Sequence, residues 1–332
     1  MKCKKTTESP NFNRFGEHFC FTSFGESHGP AIGGVVDGLP AGQPIDLEAI
    51  RTALEQRSGR LAPAGTSPRA RTETDEVEWL SGVLPDADGR LLTTGTPVAF
   101  LIRNHHARPE EYEWMRQHCR PGHADYTYRA KYGRYYDYRG GGRASARETA
   151  ARVVAGELAA GLLAGQGISI EASLLQVGEE KDPARFDTLL KAIQVAGDSI
   201  GGIVRCTVTG LSAGMGEPLF DKLQCRLAAA MLSINGCKGF EYGTGFDMSP
   251  RGSELYHPDE VPCPASGGIE GGLSNGLPIT FRCAFKPAAT LKRLYGGRHD
   301  ACIAVRAVPV VRAMTALALQ DFVMTNTTQH DK

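Results

Sequence analysis

The stretch from Arg120 to Glu148 reads R-P-G-H-A-D-Y-T-Y-R-A-K-Y-G-R-Y-Y-D-Y-R-G-G-G-R-A-S-A-R-E. It gathers a histidine, six tyrosines, a glycine triplet and a fan of arginines into one short span. Gly140, Gly141 and Gly142 carry no Cβ, so backbone there can approach a ligand closely. Ser145 and Glu148 have the S-x-x-E spacing of a capping box that opens a helix. Downstream, Ala150, Val153, Val154, Leu158 and Leu162 recur at helical spacing and predict one apolar face. A glycine turn feeding a helix N-terminus offers unpaired N–H groups and the positive end of the helix dipole to an anion. The glycines and cap alone equally fit a plain turn before a core helix. Arg139, Arg143 and Arg147, with His123 upstream, favour a phosphate site.

Working outward, 332 residues are ample to bury a core. Basic and acidic residues balance at 37 each, so no global charge points to nucleic acid or an anionic membrane, and any anion site must be local. No apolar run reads as a membrane span of roughly 20 residues. The N-terminal M-K-C-K-K-T-T-E-S-P lacks the apolar segment of a signal peptide. Nine cysteines without a C-x-x-C pair argue against a disulfide framework or a structural zinc site, and no metal is expected. The expectation is a cytoplasmic protein with a disordered extension over 1–12 and a single domain over 13–332.

In chain order, Phe19 to Ser23 alternates as a strand and ends in the turn G-E-S-H-G. That turn carries His28, which fits either chemistry or an ordinary hydrogen-bonded surface position. Ala31–Gly38 reads as a strand, and Asp46 caps a helix running to Arg57. The polar segment to Asp75 holds Arg57, Arg60, Arg69 and Arg71, either solvated or folded onto an anion. Strands are expected at Val77–Leu84, Pro97–Ile102, Ile168–Val177, Gly202–Leu211 and Ile279–Phe285. Helices are expected at Arg185–Val195 and Leu223–Ile234, with a last helix opened by Pro309 at its first position. This is a mixed α and β chain with no visible linker.

Several segments together carry a family likeness: F-G-E-S-H-G at 24–29, G-T-P-V-A-F-L-I-R-N at 95–104, the R-P-G-H-A-D-Y-T-Y and D-Y-R-G-G-G-R runs, T-G-L-S-A-G-M-G-E-P-L-F-D-K-L at 209–223, K-G-F-E-Y-G-T-G-F at 238–246, G-G-I-E-G-G-L-S-N-G at 267–276, and G-R-H-D before R-A-V-P-V-V. In this order they resemble the chorismate synthases. The resemblance implies an α+β fold, a β-α-β sandwich with helices packed between antiparallel or mixed sheets, assembled as a homotetramer. It implies conversion of 5-enolpyruvylshikimate 3-phosphate to chorismate by 1,4-anti elimination of phosphate, with reduced FMN needed and no net redox change. By the same resemblance, His28 is the acid beside the departing phosphate, His123 faces the reduced flavin, and Asp300 acts in proton removal. Arg143, Ala144, Ser145, Asn235, Gly236, Gly271, Lys286, Pro287, Ala288, Ala289, Thr290 and Arg298 are implied for FMN. Ser27, Arg57, Arg60 and Arg147, with Arg69 after them, are implied for substrate.

The chain also departs from the family pattern. Ala144 replaces a usual serine, Gly236 a usual alanine, Pro264-Ala265 a usual Asn-His, Ala301 a usual proline and Arg312 a usual glutamate. The arginine segment is rearranged, and the chain is short between Thr290 and Gly296. These departures motivate a rival reading as a flavin-binding protein without turnover, which the retained His28, His123 and Asp300 oppose. Whether NADP or another nicotinamide donor reduces the flavin is left open by the sequence.

Overall fold

The computed structural model describes residues 13–61, 74–295 and 299–325. The expected N-terminal extension, Arg69 and Arg298 lie outside these residues. Strands β1 (Arg14–Phe15), β2 (Cys20–Phe24) and β3 (Ala31–Asp37) lead to helix α1 (Leu47–Ser58). Asp46 caps α1 as expected, its Oδ1 accepting from Ala49 N at 2.9 Å. Strands β4 (Val77–Ser81), β5 (Val83–Pro85), β6 (Leu91–Thr93) and β7 (Val98–Arg103) follow. The single strand expected over Val77–Leu84 is broken at Gly82, and its two pieces enter different sheets.

Beyond helix α2 (Asp125–Tyr132) come α3 (Thr149–Ala164), β8 (Ser169–Val177), α4 (Pro183–Val195), β9 (Gly202–Thr209) and α5 (Leu223–Leu232). The chain closes with β10 (Cys237–Tyr242), the hairpin β11 (Ile269–Glu270) and β12 (Leu273–Ser274), β13 (Ile279–Phe285) and helix α6 (Ala304–Thr325). Strands β1-β2-β3-β7-β4 form a five-stranded sheet and β10-β13-β9-β8 a four-stranded one. Every pairing between these strands is antiparallel. Between the sheets lie α3 and α6, α3 against β2 and β3 and α6 against β8 and β9, with α1 packed on both. The α+β class and the layered arrangement expected from the resemblance are both present.

Helix α3 is buried almost all round, because Ala, Gly and Val on every face admit neighbours closely. Helix α6 is 22 residues long and by length and composition alone passes for a membrane span. Most of its apolar stretch, 78%, is buried inside the protein, which is what a central core helix requires. Pro309 lies inside α6 rather than at its start. A proline within a helix removes one backbone bond, but the buried Val305, Val310 and Val311 around it carry enough apolar area to extend the helix back to Ala304. Arg312, where a glutamate is usual, pairs with buried Glu157 of α3 and donates to Ile170 O at 3.2 Å. The departure thus has an internal partner.

Near the end of α6, buried Asp321 takes the backbone N–H groups of Glu17, His18 and Phe19 at 2.7–3.0 Å, and Arg226 Nη1 at 3.0 Å. This ties the turn between β1 and β2 to the central layer. Asp321→Ala leaves those donors, the buried Phe19 N–H among them, without their acceptor and should cost about 3 kcal/mol. The check is urea unfolding, where the midpoint should fall at constant slope; an unchanged midpoint would refute the anchor.

Candidate active site

The glycine triplet adopts left-handed backbone at every position, with φ of 60°, 90° and 52°. A Cβ on Gly140 would lie 2.4 Å from His28 Cε1, and one on Gly141 would lie 2.6 Å from His123 Cε1. Consecutive glycines therefore touch the two histidines through bare backbone, at conformations other residues rarely adopt. The turn carrying His28 is stitched to the same segment. Ser27 N donates to Gly142 O at 3.4 Å, and Ser27 Oγ to Arg139 O at 3.4 Å. Ser27 Oγ also lies 3.1 Å from His28 Nδ1, and Tyr112 meets the imidazole edge-on at 4.5 Å between centroids.

His123 belongs to a compact cluster. Its Nδ1 lies 2.6 Å from Asp125 Oδ1, and a carboxylate only accepts, so Nδ1 carries the proton of that bond. Arg120 donates to Asp125 from its backbone N at 3.0 Å, Nε at 2.9 Å and Nη2 at 3.0 Å, and from Nη1 to Thr290 Oγ1 at 2.9 Å. Burial raises the Asp125 pKa, but the Arg120 and His123 hydrogen bonds outweigh it and hold the carboxyl well below the usual range.

A second buried carboxylate organises the arginines. Arg57, expected in a polar loop, is only 1% exposed. Its Nη1 donates to Asp75 Oδ2 at 3.0 Å, and Arg147 pairs with the other oxygen of the same carboxylate. A guanidinium of this kind stays buried because its charge is matched. Burial drives the Asp75 pKa up, and Arg57 and Arg147 more than reverse it. Asp300 pairs with Arg306 Nη1 of α6 at 2.7 Å.

His28, His123 and Asp300 all line one cavity of about 1080 Å³. So do Ser27, Arg57, Arg143, Ala144, Ser145, Arg147, Asn235, Gly236, Lys286, Ala288, Ala289 and Thr290. Arg60 instead pairs with Glu55 at 3.5 Å, Gly271 occupies the β11–β12 turn and Pro287 faces Gly201; none of the three lines the cavity. Ala144 acts through backbone, its carbonyl accepting from Asn235 Nδ2 at 2.8 Å. Gly236 has φ of +83°, a backbone conformation that favours glycine. The expected capping box does not form: Ser145 Oγ accepts from Arg147 N at 3.3 Å, while Glu148 turns to Arg152 at 3.0 Å. A single-turn 3-10 segment at Ala146–Glu148 precedes α3 and moves Glu148 out of reach of the cap. Arg139 is bound to Asp137 and does not line the cavity. Asp75, Arg120, Asp125, Tyr112 and Arg306 were not singled out from sequence; of these only Arg120 and Asp125 had a local signal, flanking His123 in R-P-G-H-A-D.

The chorismate synthase family model matches residues 19–324. The chain belongs to the chorismate synthase family. It is 44% identical over 359 residues to the chorismate synthase of Christiangramia forsetii, covering 95% of this chain and 98% of the relative. It is 43% identical to that of Phocaeicola vulgatus, covering 96% and 99%. A solved structure described as a chorismate synthase superposes with a TM-score of 0.73 at 26% identity, covering 95% of this chain and 94% of the other. An alignment of 359 residues exceeds the 332 of this chain, so the relative carries segments that this one lacks. Membership makes this chorismate synthase homologue an enzyme, a phosphate-eliminating lyase whose family implies a flavin.

Two outcomes follow from the geometry. Gly140→Ala and Gly141→Ala should each fold, at a backbone cost of about 1–2 kcal/mol, yet lose at least about 10-fold in phosphate release as a histidine is displaced. Wild-type rates in both would disprove the wedge. Because the Asp75 and Asp125 carboxyls are depressed in the folded state, their stabilisation is complete above the unfolded value of about 3.9 and is lost as pH falls below it. The urea midpoint should drop progressively as pH falls from about 4 towards about 2, and less steeply in Asp75→Asn. Identical slopes would remove Asp75 from this account.

Proposed function

We propose that the enzyme catalyses the 1,4-anti elimination of phosphate from 5-enolpyruvylshikimate 3-phosphate to give chorismate, using reduced FMN with no net redox change. The observation that carries this reading is the convergence of His28, His123 and Asp300 on one cavity, although they lie far apart in sequence. The donor set suits a flavin phosphate and an anionic substrate. Among the described residues, the hydrogen bonds of Arg143 go to Ser23 Oγ at 2.6 Å and Gly25 O at 3.2 Å, and that of Lys286 goes to Gly122 O. All three acceptors are neutral, so both charges remain for a ligand. Burial and the neighbouring Lys238 push the Lys286 ammonium pKa down, and an anion beside it would relieve that.

Arg143, Asn235, Lys286 and the Ala288–Thr290 segment would hold FMN in this reading. The chemistry FMN supplies when bound is transient electron donation to an allylic system whose C–H bond is too unactivated for a side-chain base alone. His28 gives a proton to the departing phosphate as its C–O bond breaks, a role suited to a histidine near neutral pH. Arg57 and Arg147 stabilise the charge that develops on phosphate. Arg120 presents positive charge to the flavin beside the His123 imidazole, with Asp125 holding both in place. Asp300 takes the ring proton, aimed by Arg306. Assembly as a homotetramer belongs to the same reading, and would offer cover to the exposed apolar side chains Leu219, Phe220, Phe246 and Met248.

Under anaerobic conditions with chemically reduced FMN and the enolpyruvyl substrate, chorismate and phosphate should appear in equal amounts. Tight FMN binding without turnover would overturn the reading. His123→Ala and Asp300→Ala should each lower kcat by about 100-fold or more, and near-wild-type rates from both would show the roles to be misassigned.

A further inference from the structure

Asn104, the residue after β7, lies where the pairing of β3 with β7 ends at Ala31 and Arg103. Its side chain continues past that end and bridges two parts of the cavity wall. Nδ2 donates to Glu26 O at 3.0 Å and to Gly29 O at 2.9 Å, bracketing the turn that carries His28. Oδ1 accepts from Arg147 Nε at 2.9 Å. The backbone N of Asn104 donates to Pro30 O at 3.0 Å and holds the residue against the same turn. An amide is the one side-chain group that offers two donors and an acceptor in this arrangement; a carboxylate would face two carbonyl oxygens with no proton to give.

We propose that Asn104 is a positioning residue that sets His28 relative to the Arg57–Asp75–Arg147 cluster. This rests on the function proposed above, in which His28 protonates the phosphate that Arg57 and Arg147 bind. An acid and two cations acting on one leaving group must keep a fixed mutual distance, and a displacement of about 1 Å is enough to cost on the order of 100-fold in rate. Asn104 does not itself line the cavity; it acts by joining the acid's turn to the Arg147 guanidinium.

The test is a double-mutant cycle in the anaerobic phosphate-release assay, with Asn104→Ala, His28→Ala and the pair. Asn104→Asp serves as a second variant that keeps the shape and the acceptor but loses both donors. Asn104→Ala should lower kcat at least about 10-fold with KM changed less than about 3-fold. In the His28→Ala background the same change should cost less than about 3-fold, because the group it positions is gone. Losses that multiply across the cycle would overturn the proposal, since a general structural role gives that result. Independently of turnover, the His28 ring NMR signal, identified by its disappearance in His28→Ala, should move in Asn104→Asp; an unmoved signal would also overturn it. Absence of wild-type turnover, or full activity in His28→Ala, would instead bring down the proposed function and this inference with it.

Discussion

Bare backbone at Gly140 and Gly141 touches both His28 and His123, and the arrangement of the cavity depends on that contact. The two histidines come from segments almost a hundred positions apart. They are brought together because a triplet without Cβ atoms can adopt three left-handed conformations in succession between them. The hydrogen bonds from Ser27 to Arg139 O and Gly142 O hold the His28 turn against this segment. Any side chain on Gly140 or Gly141 would separate the imidazoles from the wall that orients them.

Electrostatics set the second constraint. Guanidinium groups gathered around one cavity repel each other and resist burial, so each cluster carries a sunken carboxylate. Asp75 lies between Arg57 and Arg147, and Asp125 binds Arg120 and His123. Each carboxylate neutralises part of the charge and fixes the geometry of the rest, leaving a cavity attractive to anions within a chain of zero formal net charge. The central layer supports this arrangement from behind. Helix α3 starts immediately after Arg147 and Glu148, and α6 supplies Arg306 to Asp300.

Much of this was legible in the sequence, and the misses share a cause. The strands β2, β3 and β13, the Asp46 cap and the helix α3 depend on local sequence, which records them directly, although α3 is buried almost all round rather than on one face. His28, His123 and Asp300 stood out through their glycine-rich neighbours and through the family resemblance. Asp75 and Asn104 did not, because their meaning lies in partners tens of residues away. The burial of Arg57 was missed for the same reason, since it depends on the carboxylate at the far end of that polar segment. Pro309 misled because burial of α6 between the sheets outweighs one lost backbone bond, and Ser145 and Glu148 misled because a turn of 3-10 helix changes which side chain reaches the cap.

The central claim is that His28, His123 and Asp300 form one site against the glycine triplet. It is tested most directly by a crystal structure of the protein soaked with FMN and the enolpyruvyl phosphate substrate. The account predicts density for both ligands in the single cavity, with the substrate phosphate within hydrogen-bond reach of His28 and the flavin beside His123. Ligands bound elsewhere, or His28 and His123 facing separate clefts, would contradict it.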